Sequence, residues 1–116
     1  MILANELRDG VGQLNFRLVK GVGRHIRLGI SATVESNPET WNMELAIYSG
    51  KSLQRTVILS TASNGQIEAS QTSIDLVFPA DCVNGFVDGC YQWDMRVTIN
   101  GVSDQFIKGT VDIGTV

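Results

Sequence analysis

A single histidine, two cysteines and a scatter of aspartates are the residues on which this chain of 116 amino acids could build chemistry. His25 lies between Arg24 and Arg27. A general base needs a partner that orients the ring and tolerates its protonated form. Cationic neighbours disfavour that form and no strand partner is evident, so an exposed surface histidine is expected. Cys82 and Cys90 are too few for a disulfide framework or a four-ligand zinc site. They either meet across the loop between them or stay as two free thiols, and the sequence leaves both open. Asp75, Asp94, Asp104 and Asp112 are spread over the strands of the C-terminal half, without an Asp-x-Asp-x-Asp calcium loop. No Gly-x-Ser-x-Gly elbow, phosphate loop, His-Glu-x-x-His pair or dinucleotide fingerprint occurs. The expectation is a non-enzyme with no catalytic, cofactor-binding or metal-binding residues and no cofactor.

The elements behind these residues come from composition and periodicity. Hydrophobic residues make up 43% of the chain and charged residues 18%, with a net charge of −3, which excludes intrinsic disorder. A chain of this size buries roughly two-thirds of its unfolded surface, enough for one core without staples. No apolar run reaches the ~18 residues of a membrane helix, and from Met1 to Glu6 no export signal is expected. Residues 1 to 27 hold five basic and two acidic groups, while the rest hold four and ten. An acidic balance overall argues against binding a phosphate backbone. No nucleic-acid or membrane partner is expected.

Strict alternation of apolar and polar residues dominates. Ile26, Leu28, Ile30, Ala32 and Val34 alternate over 25–34, and Trp41, Met43, Leu45 and Ile47 over 41–47. Ile74, Leu76 and Phe78 alternate over 74–78. Tyr91, Trp93, Met95, Val97 and Ile99 do so over 91–99, with Gln92, Asp94 and Arg96 on the wet face. Weaker strands are expected over 15–20, 56–60, 66–69 and 105–113. Lys20-Gly21, Ser63-Asn64-Gly65 and Asn100-Gly101 punctuate them as turns. Pro79 to Asn84 reads as a single helical turn. The fold class predicted is all-β, an antiparallel two-sheet sandwich of seven or eight strands, with a small barrel as the competing layout. Trp41, Leu45, Tyr91, Trp93 and Val97 should share its core. Asp94 should point outward to a loop or a basic residue, and Gly109 suits a bulge or a close backbone approach. Tyr48 and Phe106 fall out of phase and should face outward. Residues 15–116 form the sandwich. Residues 1–14, with Ile2, Leu3, Leu7 and Val11, form an N-terminal arm that docks on a neighbouring subunit or folds back over its own domain.

The C-terminal third, Gly89-Cys90-Tyr91-Gln92-Trp93-Asp94 followed by Asn100-Gly101 and Lys108-Gly109-Thr110-Val111-Asp112-Ile113, resembles small bacteriophage virion proteins. It is similar in particular to the N-terminal domains of phage baseplate and fibre proteins. The upstream order of strands and turns is similar as well, so the resemblance spans about residues 15–113. It implies an immunoglobulin-like sandwich in a tail, baseplate, neck or capsid-decoration component. Its partners would be other virion proteins and further copies of itself, and its location the virion, assembled in the bacterial cytoplasm. A small-molecule ligand is not expected. The competing class is a carbohydrate-binding or adhesion module. Such a module offers exposed aromatics, whereas both tryptophans and Tyr91 fall on core-facing phases here.

Overall fold

Among the described residues, nine strands carry the alternating segments. The computed structural model describes residues 12–29, 41–49, 55–63, 65–70, 72–99 and 101–115, apart from the side chains of Ile99 and Phe106. The strands are β1 (Gly12–Gln13), β2 (Phe16–Val19), β3 (Arg24–Gly29), β4 (Asn42–Tyr48), β5 (Thr56–Ser60), β6 (Ile67–Ala69), β7 (Ser73–Phe78), β8 (Gly89–Ile99) and β9 (Val102–Gly114). The chain is all-β across the described residues, and its strands form two sheets. The larger runs β1-β9-β8-β4-β5, with β2 also on β9, and the smaller runs β3-β7-β6. Ile30, Ala32, Val34 and residues 1–11 of the expected arm lie outside the described residues.

The expectation of a wholly antiparallel sandwich needs correction. The larger sheet is mixed, because β1 and β2 run parallel to β9, Gly12 facing Ile107 and Phe16 facing Val111. Alternation fixes which face a side chain takes but says nothing of a strand's neighbour or direction. Parallel partners need a long connection, and here everything between β2 and β9 supplies it. The helical turn expected at Pro79–Asn84 is instead a run of tight turns. Cys82, Asn84 and Phe86 amides donate to the Pro79, Asp81 and Val83 carbonyls at 3.1–3.3 Å.

The core lies between the sheets. Phe16, Leu18, Met43, Leu45, Ile47, Trp93, Met95, Ile107, Val111 and Ile113 face it from the larger sheet. Leu28, Ile67, Ile74, Leu76 and Phe78 face them from the smaller. Leu45, Trp93 and Val97 are buried as expected, whereas Trp41 and Tyr91 are only partly buried and pack against the cluster's margin. Phe16 meets the Trp93 ring edge-on at 5.1 Å and the Phe78 ring in a tilted contact at 5.4 Å, contacts that add to area burial. At the β8–β9 hairpin Gly101 takes φ +80°, the left-handed conformation that favours glycine. Further along, Met95 pairs with Ile107 but Arg96 with Gln105, so Phe106 is the extra residue of a bulge.

Candidate functional site

β8 positions most of the side chains singled out in the sequence. Tyr91, at its start, donates its hydroxyl to the Val87 carbonyl at 2.6 Å and meets Phe86 edge-on. This fixes the corner by which the chain enters the strand. Two residues on, Trp93 faces Gly109 across the ladder. The Leu14 carbonyl enters the space that a side chain at Gly109 would occupy. A Cβ there would lie 1.8 Å from the Leu14 oxygen. That carbonyl accepts the Trp93 indole N–H at 2.8 Å, so the buried donor is satisfied by backbone. Asn15 completes the crossing, its Oδ1 accepting the Thr110 amide at 2.9 Å. The close approach expected at Gly109 is therefore real, and its partner is the segment between β1 and β2.

Asp94 leaves the core face, as alternation requires, yet it is only 1% exposed. The expected pairing with a basic residue is present, while the wet environment expected for it is overturned. Arg55 covers the carboxylate, donating from Nε at 3.1 and 3.3 Å and also from Nη2, a forked ion pair. Gln105 Nε2 donates to the second oxygen at 3.3 Å, and Arg96 stands 3.9 Å away. Arg55 was missed because nothing in its local sequence marks it. A signal existed in Ala46, which occupies a polar-phase position, faces Asp94 and is fully buried. A small apolar residue on the outer phase marks a covered stretch of that face.

The remaining candidates are dispersed. On the outer face of the smaller sheet, Asp75 receives Arg27 Nε at 2.7 Å and sits 3.1 Å from His25 Nε2. The hydrogen bond from Arg27 holds the Asp75 carboxyl below its ordinary value against partial desolvation, with His25 assisting. The partner for His25 that sequence did not reveal is thus Asp75, delivered by the β3–β7 register. Asp88, before β8, pairs with Lys20 at 3.0 Å and accepts the Thr115 hydroxyl at 2.8 Å. Both donors lower its pKa, Lys20 foremost. Asp104 and Asp112 share β9 but stay apart, opposite Val97 and Cys90.

Cys82 and Cys90 are free thiols. Burial, then the Asp81 charge, pushes the Cys82 thiol up, and a hydrogen bond with Asp112 raises Cys90, so neither is activated as a nucleophile. Among the described residues no group of three His, Cys, Asp or Glu side chains is placed to hold a metal ion. Phe106's side chain lies outside the described residues. Comparison of the chain with protein-family models and with curated proteins returned no match.

Proposed function

We propose that this chain is a non-enzymatic structural protein of a bacteriophage virion, an immunoglobulin-like domain that works by protein–protein assembly. The observation that carries the fold part is the strand order. β5-β4-β8-β9 against β3-β7-β6 corresponds to the C′-C-F-G and B-E-D strands of variable-type immunoglobulin domains. The Tyr91 hydroxyl bonded to Val87 corresponds to the tyrosine corner at the start of strand F in such domains. The virion part rests on the Gly89–Asp94 and Gly109 pattern. Its residues serve the architecture here: Tyr91 the corner, Trp93 and Gly109 the crossing, Asp94 the ion pair. A domain whose singled-out residues all brace its own sheets is suited to being a rigid building block. Among the described residues β5, β3 and β6 are edge strands, and such edges offer backbone for pairing with neighbours.

Quantitative mass spectrometry of purified particles tests this, using the phage or prophage whose genome encodes the chain. Peptides of this protein at a fixed, multi-copy ratio to the other virion proteins support it. Their confinement to the free soluble fraction of the lysate overturns it.

A further inference from the structure

A shallow cavity of about 400 Å³ opens on the outer face of the larger sheet, lined by Gln13, Asn15, Tyr48, Gln92, Lys108 and Thr110 around the Gly109 backbone. Its size lies toward the lower end of small-molecule sites, roughly 300–1,000 Å³. The lining is one continuous row. Tyr48 faces Gln92 and Gln92 faces Thr110 across the ladders. Thr110 is bonded to Asn15, and Gln13 faces Lys108 beside it. Here the Leu14 carbonyl turns inward to Trp93, so the β1–β2 edge is interrupted where the cavity opens. Among the described residues, the side chains of Gln13, Tyr48, Gln92 and Lys108 make no hydrogen bond or ion pair.

We propose that this cavity binds a short saccharide carrying a carboxylate. Sugar hydroxyls both donate and accept, and so do the amides of Gln13 and Gln92 and the hydroxyls of Tyr48 and Thr110. The partly exposed Tyr48 ring offers the flat, apolar contact that the C–H face of a sugar needs. Among the described residues of the lining Lys108 is the one charged group, and Asp94, its ladder partner, is neutralised by Arg55. The local charge is therefore positive in a chain of net charge −3, which favours an acidic sugar over a neutral one. An apolar ligand would find only one aromatic wall. A polyphosphate would find one cation where it needs several.

The test is an amide-resolved NMR titration of the full chain with trigalacturonate and sialyllactose, against the neutral maltotriose and lactose. Saturable shifts at Tyr48, Gln92, Lys108 and Thr110, with a dissociation constant of about 1 mM or tighter for an acidic sugar, are expected. Gln92→Ala, at an exposed position, should weaken binding about tenfold while leaving the remaining amide spectrum in place. Lys108→Gln should abolish the preference for acidic over neutral sugars. Tyr48→Ala should remove binding, with its amide spectrum reporting retention of the fold. Absence of saturable shifts with all four sugars overturns the proposal, as do shifts centred on the outer face of the smaller sheet. An unchanged preference in Lys108→Gln overturns the carboxylate.

Discussion

Asp94 and Asp75 each face a basic side chain on the outer side of a sheet, yet they belong to different physical regimes. The Asp94 side chain is 2% exposed and its Arg55 partner 19%, while Asp75 is 18% exposed and Arg27 67%. In water an arginine–carboxylate pair is screened and contributes little. Away from water the same pair interacts strongly, and losing one member strands a desolvated charge. Arg55 precedes β5, and Asp94 lies on β8, two strands away across β4. The buried pair therefore clamps the outer face of the larger sheet over Ala46. The exposed pair only decorates two adjacent strands. One chemistry thus acts as a clamp on one sheet and as surface on the other, and burial together with the span across β4 makes the difference.

Removing each carboxylate separates the two regimes. Asp94→Ala should lower stability by about 3–5 kcal/mol in urea unfolding, because Arg55 is left largely desolvated and unpaired. A loss below about 1 kcal/mol would place Asp94 in the same class as Asp75. Next in size, Gly109→Ala should cost about 3 kcal/mol, since the new Cβ would overlap the Leu14 carbonyl and force the crossing apart. Gly23→Ala, where the new Cβ would sit 3.2 Å from the Phe78 carbonyl, is the milder control beside the smaller sheet. Equal losses at the two glycines would remove the special standing of the β1–β2 crossing. Trp93→Phe should cost about 1–3 kcal/mol, part of it from the Leu14 carbonyl losing its donor. Faster hydrogen exchange at the Leu14 and Thr110 amides would report the loosened crossing.

The smallest effect belongs to the exposed pair. Asp75→Asn should change stability by less than about 1 kcal/mol at neutral pH. Asp75 and Asp88 are held below the ordinary carboxylate value of 3.8 in the folded chain. Their contribution is therefore complete above that value and is lost as the pH falls through the lower folded values. Below pH 3.8 the parent chain should lose stability more steeply than Asp75→Asn. Parallel acid unfolding curves would show that the Asp75 pair contributes nothing.

The alternation of Met43, Leu45 and Ile47, and of Trp93, Met95 and Val97, was enough to place the inner faces of the sandwich. A period of two assigns faces by covalent geometry alone. Likewise Gly109 signalled a close approach and Gly101 a hairpin, because both depend on the missing Cβ. The chain by itself determined which residues face the core and where it turns. Only the tertiary structure decided that β1 and β2 lie parallel to β9 and that Leu14 fills the space at Gly109. It alone decided that Arg55 buries Asp94 and that Gln13, Tyr48, Gln92 and Lys108 gather at one cavity. Those outcomes depend on which strands become neighbours and in what register, and that is set by contacts between residues far apart in sequence, which local periodicity does not encode.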